Sequence, residues 1–448
     1  MSGIDKVLAL IVQNKIAAIR FELVDIHGIG HSRLITSRHF KDKAVHGSSF
    51  NLLALVLDPK GIKFSDSGMC IDDVDAVTYP VYETFQNLVW CQSTARILVE
   101  PTIKGEYIPQ YPRNNARRLL DRLGEQGVSL FSSFVHEFYL VDEKTGEPAE
   151  KSCNYAATSR LCKLEAFINL LLACLPRVGV DVESIETLDA PGQLRVTYKS
   201  AFGVGSADNA YTFKSTVKEL ATRNGFVATF MTKPWPEHRG STTYLCHSLW
   251  SLQEHKCIVF DSTSENSLSS TCQKWIAGIL SHAQAITALM APTVNCYSRF
   301  ETSPTSHAPS NCSWGIGNRT CAIRVKVDGS KRTIIENRIP SSGSNPYVVL
   351  AATVAAGLDG LLTDMPLKAA TEGSAYDQGY DLPELPLSLE QAMEVLETDE
   401  VILDALGKDF IKYFLAAKRH ECSEALRARK VAGVDGESWE HNMYFDTI

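Results

Sequence analysis

The sequence predicts an α+β protein with a small, strand-rich N-terminal domain and a larger domain in which helices and strands alternate. Three observations support this prediction. The chain has 448 residues, more than one ordinary domain contains. Its N-terminal part alternates polar and apolar residues at strand spacing. Residues 101–113 contain three prolines and two tyrosines, which is typical of a boundary. We therefore place the domains at 1–104 and 105–448.

The N-terminal domain is predicted to begin with a helix from Ile4 to about Asn14, whose apolar face combines Val7, Leu10 and Ile11. A strand follows at 18–24, and a turn at 27–28 brings the chain back as a hairpin. Further strands are predicted at 72–80 and 95–99.

The larger domain is predicted to open with an amphipathic helix at 115–123 and a strand at 134–141, and another strand lies at 227–231. Asn345 and Pro346 are typical of a helix start. The helix that follows, 347–362, is apolar on all sides, which predicts burial.

The C-terminal part of the larger domain is also predicted to be helical. Ser388 and Gln391 form a capping box. Residues 398–429 are predicted to be strongly helical, with Thr398 as a candidate cap. Residues 301–313, which are rich in serine, threonine and proline, are predicted to form a loop.

Composition excludes several classes of protein. The net charge of −8 and the pI near 5.9 argue against a nucleic-acid binder, which is usually basic. The longest apolar run, 166–176, is too short to cross a bilayer, and no secretion signal is recognisable. The twelve cysteines include no C-x-x-C pair, which indicates reduced thiols. We expect a cytoplasmic protein without membrane or nucleic-acid partners.

Five stretches together resemble the class I glutamine synthetases. They are NRTCAIRV…RTIIENRIPSSGSNPYVVLAATVAAGLDGL (318–361), ATFMTKPWPEHRGSTTYLCHSLW (228–250), FVHEFYLVD (134–142), PGQLRV (191–196) and the ending WEHNMYFDTI. The resemblance spans nearly the whole chain. It implies the glutamine synthetase fold, with a β-grasp-like N-terminal domain and a catalytic-type α/β domain.

The same resemblance implies a homododecamer of two stacked hexamers, and a reaction that joins glutamate to ammonia with ATP and Mg²⁺ or Mn²⁺. Within the family, GSADNAYTFKSTVKELA (205–221) and CHSLW (246–250) are similar to a glutamine-synthetase-like branch from the lens. That likeness implies a cytoskeletal or chaperone-like role, with intermediate-filament proteins as partners.

The residues at the family's metal-ligand positions have mostly changed. The resemblance assigns six positions, five to glutamate and one to histidine. Two glutamates remain, Glu137 and Glu336. The other four positions carry Val135, Arg195, Tyr244 and, with a register uncertain by one residue, Thr187 or Leu188. Hard cations need several oxygen ligands, so we expect no metal and no cofactor here, and each remaining carboxylate paired with an arginine. A shift of register would let Asp189 replace one lost glutamate.

The family's two acid/base positions have changed as well, whereas its arginines have not. By resemblance, the aspartate that helps to take a proton from ammonium matches His46, and the glutamate of the active-site flap matches His307. A histidine can serve as a base, but a loop histidine facing solvent is the simpler interpretation. The positions that keep the family's substrate or phosphate type are Arg299, Arg319, Arg324, Arg338 and Ser248.

Three hypotheses follow. The first is a pseudoenzyme whose role is structural, in a large assembly. The second is an active γ-glutamyl ligase acting on ammonia or another amine, although removing even one charge-stabilising group typically lowers a rate by about 10²–10³. The third is a regulatory module whose arginines, with Arg195 and Arg239 added, bind an anion without metal. Against the third, the same arginines can instead pair with Glu137, Glu336 and backbone carbonyls.

Overall fold

A computed structural model describes residues 2–69, 75–300, 308–377, 382–430 and 436–448. Within these ranges the chain forms two sheets, each accompanied by helices, which agrees with the α+β prediction.

The N-terminal sheet has the strand order β2-β1-β6-β4-β3, with two short strands, β5 and β7, paired to β6. Its strands are β1 (Ala18–Val24), β2 (Gly30–Thr36), β3 (Ser48–Phe50), β4 (Ala76–Pro80), β5 (Gln86–Asn87), β6 (Thr94–Ile103) and β7 (Glu106–Tyr107). Two helices accompany it, α1 (Gly3–Gln13) and α2 (Phe40–His46). The strands β1 and β6 run parallel, so the hairpin predicted for residues 18–35 lies beside a strand that is distant in sequence.

The second sheet is larger and has the order β14-β15-β16-β13-β8-β10-β9, with β11 and β12 also paired to β8. Its strands are β8 (Val128–Asp142), β9 (Val182–Thr187), β10 (Gln193–Tyr198), β11 (Ala201–Phe202), β12 (Phe226–Thr229), β13 (Thr243–Ser251), β14 (Trp314–Ile316), β15 (Ile323–Lys326) and β16 (Ile334–Asn337). The long strand β8 lies near the middle, and the strands that carry the candidate site lie on both sides of it.

The larger part of the chain contributes the remaining helices. They are α3 (Pro112–Glu125), α4 (Thr158–Lys163), α5 (Glu165–Cys174), α6 (Gly205–Arg223), α7 (Ser270–Ser281), α8 (Ala283–Met290), α9 (Gly329–Arg332), α10 (Pro346–Leu362), α11 (Leu389–Thr398), α12 (Glu400–Leu406), α13 (Lys408–Lys430) and α14 (Gly436–Tyr444).

The apolar helix α10 is buried over most of its length, as its composition predicts. Asn345 caps it, since its side-chain oxygen accepts a hydrogen bond from the N–H of Tyr347 at 2.9 Å. The amide of Asn345 also donates to the backbone oxygen of Asp25 at 2.8 Å, in the turn after β1. The cap therefore links the start of α10 to the N-terminal sheet.

Some of the predicted elements differ from the observed ones. Residues 398–429 are largely helical, as predicted, but Thr398 is the last residue of α11 and not a cap. Asp399 caps α12, and Gly407, with φ of 91°, separates α12 from α13. On α1, Val7 and Ile11 are buried but Leu10 is exposed. The strand predicted at 72–80 is observed as β4, and its first residues, like most of the predicted 301–313 loop, lie outside the described residues. In the described part of the chain no helix has both the length and the apolar character to cross a bilayer.

Candidate functional site

The candidate site lies on one face of β8 and its neighbouring strands. On β8, Val135 and Glu137 point to the same face because side chains alternate along a strand. Arg195 on β10 lies directly opposite Glu137, and Tyr244 on β13 lies directly opposite Val135. Strand register therefore brings Glu137 together with three residues at positions that the resemblance assigns to lost metal ligands, namely Val135, Arg195 and Tyr244.

Both carboxylate oxygens of Glu137, whose side chain is fully buried, have partners. The guanidinium of Arg195 donates to Oε1 through Nε at 3.0 Å and through Nη2 at 2.5 Å. The backbone N–H of Thr242 donates to Oε2 at 2.9 Å. Burial would raise the pKa of Glu137, but Arg195, Arg239 and the Thr242 amide outweigh it and hold this pKa below its ordinary value.

Two further carboxylates belong to this cluster. Glu186 lies opposite Arg195 on the other neighbouring strand, and its Oε1 is 2.8 Å from Nη1 of Arg195. Asp189 Oδ1 is 3.0 Å from Nη1 of Arg239, whose Nη2 is 3.8 Å from Glu137 Oε1. Arg195 thus contacts two carboxylates, and Arg239 links Glu137 to a third.

The two residues weighed for the lost glutamate between β9 and β10 are both fully buried. Thr187 pairs with Leu194, so it points to the opposite face from Arg195. Leu188 follows directly after the strand, and its N–H donates to the backbone oxygen of Gln193. Neither side chain offers a carboxylate to the cluster.

The other remaining glutamate, Glu336, lies on β16 and is also paired with cations. Its Oε2 is 3.0 Å from Nη1 of Arg324, the residue directly opposite on β15. Lys326, two residues along the same strand, contacts Oε1. Glu336 therefore has a positive partner at each oxygen.

Tyr244 is buried among arginines. The guanidinium carbon of Arg338 lies 5.3 Å from its ring centroid and that of Arg195 lies 5.9 Å away, within the range of cation–π contacts. Burial and Glu137 raise the pKa of Tyr244, but the charges of Arg338, Arg195 and Arg239 outweigh them and lower it.

Arg299 and Arg338 lie close together, whereas Arg319 is exposed. Arg299 is 2% exposed and its Nη2 donates to the backbone oxygens of Arg338 and Ile339. Among the described residues, the Nε and Nη1 atoms of Arg299 have no hydrogen-bond partner. Burial lowers the pKa of Arg299 to about 10. Arg338 donates to the backbone oxygens of Arg319 and Cys321.

The remaining predicted site residues are Ser248, His46 and His307. Ser248 is on β13 and its hydroxyl accepts a hydrogen bond from the indole of Trp250 at 3.0 Å. His46 is solvent-exposed at the end of α2. His307 lies outside the described residues. His136, between Val135 and Glu137, points into the core and stacks on Phe213.

A divalent metal ion does not fit the donor atoms found here. The six positions that the resemblance assigns to metal ligands carry an alkyl side chain, a buried leucine or threonine, a guanidinium, a phenol and two carboxylates. The oxygens of both carboxylates already have partners. Hard cations require several available oxygen ligands. Throughout the described ranges, no three His, Cys, Asp or Glu side chains form a group suited to a metal ion.

Sequence reasoning missed Glu186 and Lys326. Glu186 is one residue before the uncertain register, and only the pairing of β9 with β10 shows that it faces Arg195. Lys326 could have been predicted from the sequence. It lies two residues after Arg324, and side chains alternate along a strand, so both point to one face.

Comparison with known proteins establishes the class. The model of the family described as "Glutamine synthetase, catalytic domain" matches residues 109–435. The apo structure of GmaS superposes with a TM-score of 0.86 at 25% identity, covering 97% of this chain and 98% of that one, and GmaS in complex with ADP gives the same values. The chain belongs to the glutamine synthetase family and has its fold.

Individual relatives include both lengsins and glutamine synthetases. The chain is 35% identical to lengsin of Canis lupus familiaris over 417 residues, covering 91% of this chain and 71% of lengsin. It is 31% identical to glutamine synthetase of Methanococcus maripaludis over 442 residues, covering 94% of this chain and 96% of that enzyme. The chain is thus lengsin-like in sequence within the family.

Proposed function

We propose that this protein is a non-catalytic member of the glutamine synthetase family whose role is structural, in a large assembly of its own copies. The observation that supports this most directly is that both carboxylate oxygens of Glu137 already have hydrogen-bond partners within the chain. Its oxygens are bonded to Arg195 and Thr242, and Arg195 itself stands where the family resemblance places a metal ligand. Phosphoryl transfer in such enzymes depends on cations that neutralise the phosphates, and this arrangement leaves no carboxylate cradle for them.

Phosphate release tests the proposal. Purified protein is supplied with ATP, Mg²⁺ or Mn²⁺, glutamate, and ammonia or a panel of primary amines. We expect no release above a blank without protein, while the Methanococcus maripaludis enzyme turns over in parallel. Sustained turnover that scales with protein concentration and survives repurification would instead establish the γ-glutamyl ligase, the alternative to which the 31% identity with that enzyme points.

The structural role has a finer form, in which the chain forms a homododecamer of two stacked hexamers in the cytoplasm and binds intermediate filaments or acts as a chaperone. The similarity to lengsin and to glutamine synthetases along most of their lengths supports it. Native mass spectrometry measures the copy number directly, and a monomer at micromolar concentration would contradict self-assembly. Co-sedimentation with assembled intermediate filaments, with bovine serum albumin as a non-binding control, tests the partner.

One observation favours a second function, a metal-free anion site with a regulatory role. Arg299 is buried, and within the described ranges two of its nitrogens have no hydrogen-bond partner. Its Cβ would lie 3.0 Å from a Cβ added at Gly240, next to Arg239. An oxyanion such as phosphate would supply acceptors for these nitrogens. Thermal-shift titrations with phosphate, citrate and ATP test this function. Stabilisation of the wild type that is lost in Arg299→Met but kept in the exposed control Arg319→Met would support it, and no stabilisation at millimolar anion would exclude it.

A further inference from the structure

Arg195 occupies the middle of a row of charges that crosses three strands. Its strand, β10, lies between β8 and β9, and the residues directly opposite Arg195 on these neighbours are Glu137 and Glu186. The guanidinium reaches both carboxylates, at 2.5 Å and 2.8 Å. Because opposite residues of paired strands point to one face, the sheet itself sets the carboxylates on either side of one cation.

Arg195 is the cation that lies closest to Glu137 in the described part of the chain. This carboxylate is fully buried, and leaving a buried charge unpaired is costly. The other nearby cation, Arg239, is 3.8 Å away and makes its closer contact, at 3.0 Å, with Asp189. Arg195 is therefore the principal counter-charge, and removing it would leave two carboxylates on neighbouring strands with no cation between them.

We propose that the guanidinium of Arg195 performs the structural work of a divalent cation, as a covalently attached positive charge that holds the carboxylates of β8 and β9 together. This inference rests on the non-catalytic function proposed above. It explains how the carboxylates are retained without a metal ion, and it makes folding of the wild type independent of divalent cations.

The substitution is chemically specific. A guanidinium is planar and presents several N–H donors in fixed directions, so it can bridge two carboxylates while staying attached to the chain. Mn²⁺ and Mg²⁺ instead take oxygen ligands on all sides. Removing the guanidinium should uncover oxygens that such ions prefer, so the site should become responsive to metal only in Arg195 variants.

The experiment compares four full-length proteins: wild type, Arg195→Gln, Arg195→Glu and the control Lys199→Met. Lys199 directly follows β10 and forms an exposed ion pair with Asp181 at 2.6 Å, so its removal deletes a positive charge beside the site without uncovering a buried carboxylate. Melting temperature is recorded in EDTA and in millimolar MnCl₂. In a separate experiment, binding of Mn²⁺ is measured by the decrease in the electron paramagnetic resonance signal of the free ion.

We expect Mn²⁺ to leave the melting temperatures of wild type and Lys199→Met unchanged. Both Arg195 variants should melt lower than wild type in EDTA and be stabilised by Mn²⁺. Stoichiometric Mn²⁺ binding is expected for Arg195→Glu, because the added carboxylate supplies another ligand. If Arg195→Glu folds only in the presence of Mn²⁺, that result supports the proposal as well.

Two results would overturn the proposal: stabilisation of the wild type by Mn²⁺ to the extent seen in the variants, or a folded Arg195→Gln whose melting temperature is unchanged in EDTA. A folded Arg195→Glu that binds no Mn²⁺ would also contradict it. These outcomes are separate from those that test the proposed function, which fails if the wild type turns over ATP in the phosphate-release assay or remains a monomer in native mass spectrometry.

Discussion

Arg195 and Glu137 lie directly opposite each other on β10 and β8, with Nε of the arginine 3.0 Å from Oε1 of the glutamate. The glutamate is fully buried, while the arginine side chain is 19% exposed. Both residues stand at positions that the family resemblance assigns to metal ligands, and in the function proposed above their contact replaces a contact with a metal ion. The contribution of this pair can be measured as a change in the free energy of unfolding.

Replacing Glu137 by glutamine should destabilise the protein. The substitution leaves the guanidiniums of Arg195 and Arg239 without their shared buried carboxylate, and breaking a buried pair typically costs about 3–5 kcal/mol. Urea unfolding followed by circular dichroism measures the change. Glu183→Gln, at an exposed position of β9, is the control and should stay within about 0.5 kcal/mol of wild type. Equal stability of the two variants would mean that the buried pair contributes nothing.

The crossing of α7 and α10 should not tolerate a methyl group. A Cβ on Gly278 would lie 2.3 Å from the backbone oxygen of Ala356 and 2.7 Å from the backbone N of Gly360. Because these atoms are backbone, the helices must separate, and we expect Gly278→Ala to cost about 3 kcal/mol.

The matched control for that crossing is Gly124→Ala on α3, where the nearest neighbouring atom would be 4.0 Å away. Alanine is the better helix former, so this variant should gain about 0.5–1 kcal/mol. Melting temperatures compare the two. A Gly278→Ala protein as stable as Gly124→Ala would show that the helices are not closely packed.

His282 should make stability depend on pH. Its Nδ1 is 2.7 Å from Asp399 and its Nε2 is 3.1 Å from Asp359, which joins the α7–α8 junction to α12 and α10. Burial lowers the pKa of His282, but the two carboxylates outweigh it and raise this pKa above the ordinary value of about 6.5. The stabilisation is therefore fully present below about pH 6.5 and is lost as pH rises through the raised pKa.

The measurement for His282 is the difference in melting temperature between wild type and His282→Gln from about pH 5 to about pH 9. The difference should be largest at the acidic end and shrink with rising pH. His39→Gln, at an exposed position, is measured in parallel as the control for loss of a histidine. A difference for His282→Gln that grows with pH would contradict the assignment.

Lys418 on α13 forms a buried ion pair with Glu421 of the same helix and also contacts the turn between β1 and β2. Lys418 Nζ is 2.9 Å from Glu421 Oε2 and 3.3 Å from Nδ1 of His27, and all three side chains are buried. Lys418→Met leaves Glu421 as an unpaired buried charge, so we expect a loss of about 3–5 kcal/mol.

The double variant Lys418→Met/Glu421→Gln should recover much of that loss, since the glutamine is neutral and can still accept the hydrogen bond from Tyr444. Lys412→Met, exposed on the same helix, is the control. Urea unfolding of wild type, Lys418→Met, Glu421→Gln and the double variant closes the cycle, and strictly additive effects would show that the two charges do not interact.

The sequence by itself determined the α+β class, the burial of α10 and the family, because these depend on local patterns. The apolar character of 347–362 is visible in the residues themselves, and Asn345 and Ser388 act as caps where the pattern places them. That Glu137 and Glu336 are remaining metal-ligand positions, and that Arg195 replaces a third, stays a prediction from the resemblance.

Only the tertiary structure decided which charges meet. The pairing of β9 with β10 put Glu186, and neither Thr187 nor Leu188, opposite Arg195. A shift of one residue would have turned that carboxylate to the other face of the sheet. Strand register is set by contacts between distant segments, so the sequence of one strand does not determine it. For the same reason α1 buries Val7 and Ile11 but leaves Leu10 exposed, since the surface against which the helix packs selects its inner face.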